Sequence, residues 1–368
     1  MKLSSIKSTV MGLAVAIALP AMASAQVTED QLRELAAGLP DTTQINVLGI
    51  ASSTSEWSIF VQPFWTEVVP RLSDGKIKVK LSSITELGVP GSQMIRLVRS
   101  GVYDIADTVA SYAGEDIKVL DALDISGVSP TIEDIRETTA AFMPVVQKTL
   151  KEKTRTQVLA SWPTTGLVFW CQSEVTKLED IKGKTVRVFN GVLADYVTAL
   201  GGSPVSMPFA EMAPALQRGV IDCGVTGTAS GNIAKLPEIT SYVYALNSGW
   251  APQLRIVNSK WFAQQPAEVQ EWLTLASKYF EQDMAWPTQI RSHKMGLACT
   301  AGEDSCDTAG GFTKYNSTVT FPTEAELKTV QERVQSDVLP NIAANCGDAC
   351  VADWNETVGK LVGITMSK

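Results

Sequence analysis

Histidine is nearly absent from the 368-residue chain, which has only His293. That scarcity removes the commonest general base and leaves Ser-His-Asp and Cys-His arrangements without support. His293 lies in the polar stretch Arg291–Lys294 and is expected on the exposed face of a helix. No two of the six cysteines have Cys-x-x-Cys spacing, so a zinc site is not expected. The G-x-S-x-G elbow is missing, as are G-x-x-x-x-G-K-[ST] and G-x-G-x-x-G. Asp104 and Asp107 remain as a carboxylate pair for acid-base work, although carboxylates at a strand end commonly act as caps or turn formers. No cofactor or metal is expected, and an enzyme is the least supported class. Positive charge is also scarce: 31 Lys and Arg stand against 39 Asp and Glu, a net charge of −8. Such a chain has no electrostatic attraction for nucleic acid or an anionic membrane surface. An anionic ligand must then be captured by local groups against the overall field, which makes a buried arginine the residue to look for.

Long apolar runs are lacking too, with one exception. Lys2 and Lys7 precede an apolar stretch from Val10 to Met22, which ends in Ala23-Ser24-Ala25. That order fits a secretory signal cleaved after Ala25. The run is broken by Gly12 and Pro20 and is shorter than the ~20 residues a membrane span needs. No cysteine stands at the cleavage position, so lipid anchoring is not indicated. An even number of cysteines in an exported chain favours disulfides. Cys299 with Cys306, and Cys346 with Cys350, are close enough to close small loops. Cys171 and Cys223 lie in strand-like segments, where a disulfide and two buried thiols are both open.

What is present reads as α/β. A short helix over 29–38 precedes a strand at Gln44–Ile50. Residues 56–72 carry Trp57, Phe60, Val61, Phe64, Trp65 and Val68 at helical spacing. Lys76–Ser82 alternates as a strand, a helix over Ser92–Ser100 stops at Gly101, and Val102–Thr108 returns as a strand. This β-α-β-α-β order predicts a mainly parallel sheet. Met94 to Gly101-Val102-Tyr103-Asp104 is echoed by Met212 to Gly219-Val220-Ile221-Asp222, which suggests a second lobe built like the first. Its elements are strands at 185–189, 203–206 and 220–226 and helices at 191–201 and 209–218. Leu254–Asn258 is a further strand. The C-terminal third is mainly helical, notably 323–343.

Ligands of open α/β sheets sit beyond the carboxyl ends of the strands. Here those ends hold Ser52–Trp57, Ser83–Leu87, Asp107–Tyr112, Phe189–Asn190 and Thr226–Ser230, rich in hydroxyl, amide and aromatic groups. Arg187 stands mid-strand between Val186 and Val188. Those valines share one face, with Arg187 on the other. A guanidinium there either reaches water, joins an internal salt bridge or grips a carboxylate through two parallel hydrogen bonds.

The run Leu178-Glu179-Asp180-Ile181-Lys182-Gly183-Lys184-Thr185-Val186-Arg187-Val188 resembles the signature of the DctP-type extracytoplasmic solute receptors of TRAP transporters. The match continues through Ala194, Leu200-Gly201-Gly202, Pro204 and Met207-Pro208-Phe209-Ala210-Glu211 to Ala215–Asp222. Glu86-Leu87-Gly88 and Gly101 to Ile105 resemble the family's first lobe. The likeness spans roughly residues 45–290; the cysteine-containing C-terminal part is less typical. It implies a two-lobed periplasmic binding protein fold with the ligand cleft between α/β lobes, a chain that crosses more than once, and a helix-rich C-terminal part. The lobes are expected at 26–161 plus about 256–300, and at 162–255 plus about 301–368, after a signal peptide at 1–25. It further implies a carboxylate ligand and a small and a large integral membrane subunit as partners. Arg187 occupies the place of the family's carboxylate-binding arginine, and Phe209 that of a pocket-lining residue. Thr226 stands where many members carry an Asn-Pro segment, which argues against copying a known sugar-acid or dicarboxylate ligand. Asn190, Trp57 and Glu86 are further candidate ligand contacts. Trp162 and Trp250 could stack on a flat or apolar acid, or pack as core. The rival readings are an ABC-type periplasmic receptor and, less supported, a periplasmic hydrolase or isomerase.

On the signal-peptide expectation, the exported chain begins at Gln26 or close to it. Mass spectrometry of N-terminal peptides checks this; an intact Met1 chain held in the inner membrane would contradict it.

Overall fold

The computed structural model describes residues 26–368, so the expected signal at 1–25 lies outside the described residues. The strands are β1 (Thr43–Gly49), β2 (Ile77–Ser83), β3 (Ile105–Val109), β4 (Thr156–Trp162), β5 (Leu167–Cys171), β6 (Thr185–Val188), β7 (Ser203–Ser206), β8 (Cys223–Gly227), β9 (Tyr242–Tyr244), β10 (Gln253–Asn258) and β11 (Thr318–Thr320). They form two sheets, ordered β2-β1-β3-β10-β4 and β11-β9-β5-β8-β6-β7. Apart from the edge strand β11, the two orders correspond strand for strand. β1, β2 and β3 are parallel, as are β6, β7 and β8. The sequence predicted mainly parallel lobes; each sheet in fact contains one reversed strand. β10 runs against β3 and β4, and β5 runs against β8 and β9.

The reversal follows from where the chain crosses. β5 is the first strand after the passage from the first sheet to the second, and β10 is the first after the return. Both passages leave and enter at the carboxyl ends of the parallel strands. A chain entering there must run the opposite way. The whole of β10 pairs in the first sheet, so the expected lobe boundary at 255/256 falls inside that strand. The two passages also bond to each other: Thr164 N–H donates to Trp250 O at 2.7 Å, Leu167 N–H to Gly249 O at 2.9 Å and Ser248 N–H to Leu167 O at 2.9 Å. Asp124 accepts from the N–H groups of Trp250 and Ala251 at 2.8 and 2.7 Å, and burial pushes its carboxyl up to about 6.

The sequence echo has a physical basis. Gly101 and Gly219 take positive φ, 78° and 66°, and end the helices before β3 and β8, where a side chain would be strained. Three residues on, Asp104 Oδ2 accepts from Asn46 N–H at 2.8 Å, and Asp222 Oδ2 accepts from Thr185 N–H at 2.7 Å. Each aspartate thus ties the start of one parallel strand to its neighbour.

The expected helix at 56–72 contains two π-type stretches, Trp57–Val61 and Phe64–Val68, on either side of Pro63. Proline has no N–H for the regular ladder, and a widened turn accommodates the loss. The C-terminal helix begins at a capping box of Thr323 and Glu326 and continues through Leu339–Cys346. The longest helix, Ile132–Thr154, was not picked out from the sequence. Its buried stripe contains Thr138 and Thr139 among Ile135, Phe142, Val146 and Leu150, and it encloses Pro144, so its apolar periodicity is diluted.

Disulfides join Cys299 to Cys306 and Cys346 to Cys350, as the spacing predicts. A third joins Cys171 to Cys223, directly opposed residues of β5 and β8. In the first lobe, Phe60, Phe64, Trp162 and Phe280 form an edge-to-face cluster, with Trp162 and Phe280 4.9 Å apart and Phe64 and Phe280 4.7 Å apart. Such pairs contribute about 0.5–1.5 kcal/mol each beyond area burial.

The helix Trp286–Ala301 lies directly on Thr228–Ile233 through Gly296, where an added Cβ would stand 2.5 Å from the Thr228 carbonyl carbon and 2.6 Å from Ala229 N. Backbone cannot swing away as a side chain can. Gly296→Ala is expected to destabilise by about 1–3 kcal/mol through overpacking, despite alanine's higher helix propensity. Gly191→Ala, with open space around it, is expected to be near neutral. Urea denaturation of both variants checks the contrast.

Candidate functional site

A cavity of about 50 Å³ lies between the sheets, beyond the carboxyl ends of β1, β3, β6 and β8. It is narrow because the two halves touch across it. Ser55 Oγ and Ser230 Oγ are 2.9 Å apart, and Asn190 Nδ2 donates to Ser111 Oγ at 2.8 Å.

Arg187 supplies its positive charge. The residue is only 2% exposed. Nε donates to Met207 O at 3.0 Å and Nη1 to Val225 O at 2.9 Å. The flanking rings of Phe189 and Phe209 lie 5.4 and 5.9 Å from the guanidinium carbon. Val186 and Val188 turn into the apolar core, as the alternation predicts, which leaves Arg187 to the cavity side. Among the described residues it forms no salt bridge. Burial draws the guanidinium down from 12.5 to about 10, with Tyr112 opposing, so it remains charged at neutral pH. A buried cation met only by two carbonyls, the Met212 thioether and aromatic faces is strongly suited to an anion.

Glu56 lines the same cavity and is 2% exposed. Its Oε2 receives Ser55 Oγ and Ser230 Oγ, both at 3.1 Å, and its Oε1 receives Gln289 Nε2 at 3.2 Å. Tyr112 lies between the two charges in sequence order and packs edge-on against Phe189 at 6.3 Å; burial pushes its hydroxyl up.

Of the residues singled out by sequence, Arg187, Phe209 and Thr226 line the cavity, whereas Asn190 does not; it bonds to Ser111 of the other lobe and caps the helix Gly191–Ala199. The others lie elsewhere. Trp57 is packed in the first-lobe core. Exposed Glu86 closes a capping box with Ser83. Trp162 is locked in the aromatic cluster, and Trp250 is buried with its Nε1 donating to Ser129 O at 2.9 Å. Bulky indoles fill the core and the inter-lobe passages instead of stacking on a ligand. His293 is not the expected surface residue. It is half-buried beside Trp250, receives Gly166 N–H at 3.2 Å, and burial lowers it to about 4. Glu56, Tyr112, Phe189 and Ser230 fall within the strand-end segments noted above, though none was named singly; Gln253 gave no such signal.

The carboxylate pair of the sequence reading is divided between structural tasks. Asp104 holds β1, and Asp107 is consumed by Arg255. Arg255 Nε and Nη2 donate to Asp107 Oδ1 and Oδ2 at 2.7 and 2.9 Å, and Trp65 Nε1 adds a bond at 2.8 Å. Neither side chain is exposed, and Phe64, Trp65 and Phe280 lie within 4.4 Å of the guanidinium carbon.

Residues 30–289 match the family model DctP, described as bacterial extracellular solute-binding protein, family 7. The chain belongs to this family. It is similar to the C4-dicarboxylate-binding periplasmic protein DctP of Rhodobacter capsulatus, 22% identical over 287 residues, which covers 78% of this chain and 82% of that one. Among solved structures it resembles a TRAP periplasmic solute-binding protein from Desulfovibrio desulfuricans with bound sn-glycerol-3-phosphate, with a TM-score of 0.75, 18% identity and coverage of 89% and 99%. It also resembles the sugar acid binding protein DctPAm of Advenella mimigardefordensis in complex with galactonate, with a TM-score of 0.74, 20% identity and coverage of 87% and 99%. At these identities the likeness establishes the two-lobed α/β fold. Family and fold are those of solute-binding receptors. Among the described residues, no helix is long and apolar enough to cross a membrane.

The two buried arginines are expected to behave oppositely. Arg255→Met leaves Asp107 buried without its partner and should cost about 3–5 kcal/mol of stability. Arg187→Met strands no protein carboxylate and should leave stability unchanged or raise it. Thermal and chemical denaturation without ligand checks both.

Proposed function

We propose that this protein is the periplasmic solute receptor of a TRAP transporter, which captures a small organic acid and delivers it to a small and a large integral membrane subunit. The observation that carries this is Arg187: a buried guanidinium with no protein carboxylate, facing a cavity between two lobes. A ligand carboxylate can take two parallel hydrogen bonds there and restore the balance of charge. Phe209 and Phe189 flank the guanidinium, and Thr226 lines the same wall. The lobes divide with the sheets, β1–β4 and β10 on one side and β5–β9 and β11 on the other. Ligand closes them by binding both, and closure presents the form that the membrane subunits recognise.

Binding without turnover fits the chemistry at hand. Asp107 is paired with Arg255, and His293 is engaged at the passages between lobes. The disulfides suit an oxidising compartment, in keeping with export to the periplasm.

A thermal-shift screen of residues 26–368 against organic acids, aromatic and aliphatic, tests the reading, followed by calorimetric titration of any hit. Arg187→Ala should weaken binding by about 30-fold to several thousand-fold, the equivalent of roughly 2–5 kcal/mol. Arg187→Lys should weaken it less, since it keeps charge and loses the planar fork. A folded Arg187→Ala protein that binds a carboxylate with unchanged affinity would overturn the assignment.

A further inference from the structure

Two opposite charges are buried in one cavity and are not paired with each other. Arg187 is met by the carbonyls of Met207 and Val225. Glu56 is met by neutral donors alone: two serine hydroxyls and the Gln289 amide. No salt bridge among the described residues contains either residue.

The donors around Glu56 are also fewer than its contacts suggest. Ser55 Oγ, Ser230 Oγ and Glu56 Oε2 form a triangle with edges of 2.9, 3.1 and 3.1 Å. Two hydroxyl hydrogens must serve three edges. If one serine donates to the other, Oε2 receives a single hydroxyl hydrogen. An ionised carboxylate offers about four acceptor positions, so Glu56 keeps unused capacity. A buried carboxylate without a cation is costly unless a partner arrives.

We infer that the ligand is a monocarboxylate carrying an N–H donor, ammonium or amide, and that Glu56 selects it by receiving that donor while Arg187 holds the carboxylate. This rests on the reading of the cavity as a carboxylate site. A zwitterionic ligand pairs both buried charges and leaves the cavity neutral. A plain monocarboxylate satisfies Arg187 and leaves the unused acceptor positions of Glu56 without a donor, which an ammonium or an amide N–H would fill. A dicarboxylate adds a second anion to a closed space that already holds one, and like charges there are strongly disfavoured. Ser230 has a related part: it binds Glu56 from the opposite lobe, so recognition of the donor and closure of the lobes share one carboxylate.

The test uses four acids of matched ring size: L-proline, L-pyroglutamate, cyclopentanecarboxylate and trans-cyclopentane-1,2-dicarboxylate. Each is titrated calorimetrically into wild type, Glu56→Gln and Arg187→Ala. Wild type should bind at least one of the two nitrogen-bearing acids about tenfold or more tighter than cyclopentanecarboxylate, with the dicarboxylate weakest. Glu56→Gln should narrow the first gap to about threefold or less and strengthen dicarboxylate binding by about tenfold. Wild type that binds the carbocyclic monoacid or the diacid as tightly as the nitrogen-bearing acids overturns the inference. So does a folded Glu56→Gln protein that keeps the wild-type order. If Glu56→Gln does not fold, the wild-type ranking decides alone. Failure of all four acids, alongside an Arg187-dependent hit in the wider acid panel, overturns this inference and leaves the carboxylate reading standing. Absence of any Arg187-dependent acid overturns the carboxylate reading itself, and this inference with it.

Discussion

The first two passages of the chain between the sheets, β4 to β5 and β9 to β10, run at the carboxyl ends of the parallel strands, and much of the architecture follows from that constraint. A strand that enters a sheet from this end has to run against its neighbours, which accounts for the reversed β5 and β10. It also places the two passages side by side, where they share hydrogen bonds through Thr164, Leu167, Ser248 and Trp250. The same ends are where loops and helix starts expose backbone and polar side chains. Cavity and passages therefore lie together.

The buried arginines show how context assigns a role to one residue type. Arg255 and Asp107 satisfy each other within an aromatic shell and are fixed parts of the first lobe. Arg187 is equally hidden, yet its neighbours offer only carbonyls, a thioether and ring faces. Removing a charge from water without a counter-charge is costly. The second lobe bears this cost at the wall of the cavity, where a ligand can relieve it. Glu56 presents the complementary case from the first lobe, tied to the second through Ser230. The two charges come from different lobes, so under the proposed function a ligand that spans both would favour the closed form.

Much of the fold was legible in the sequence. Alternating and helical apolar spacing placed β1, β2, β3, β6 and β8 to within a few residues, because those strands bury one predictable side or both. The echo of Gly101 and Asp104 in Gly219 and Asp222 disclosed two similar lobes, since each position answers a local need: a left-handed stop and an anchor for the neighbouring strand. Arg187 stood out as a lone charge in an apolar strand. The helix Ile132–Thr154 escaped because threonines and a proline dilute its buried stripe.

The sequence left the role of Trp162 and Trp250 open, and placed His293 on the surface, for a different reason. Sequence shows that a side chain is large and flat, or polar and titratable, but not what will surround it; Trp57, Trp162 and Trp250 went to packing, and His293 to the inter-lobe passage. Sequence alone determined what local spacing encodes: the strands and helices, the paired lobes, the close disulfide loops and a lone arginine in an apolar strand. Tertiary structure decided which strands are reversed, that Cys171 meets Cys223, that Asp107 is spent on Arg255, and that Glu56 shares a cavity with Arg187. Each of these joins residues far apart in the chain, and only packing of the complete fold brings such partners within bonding distance.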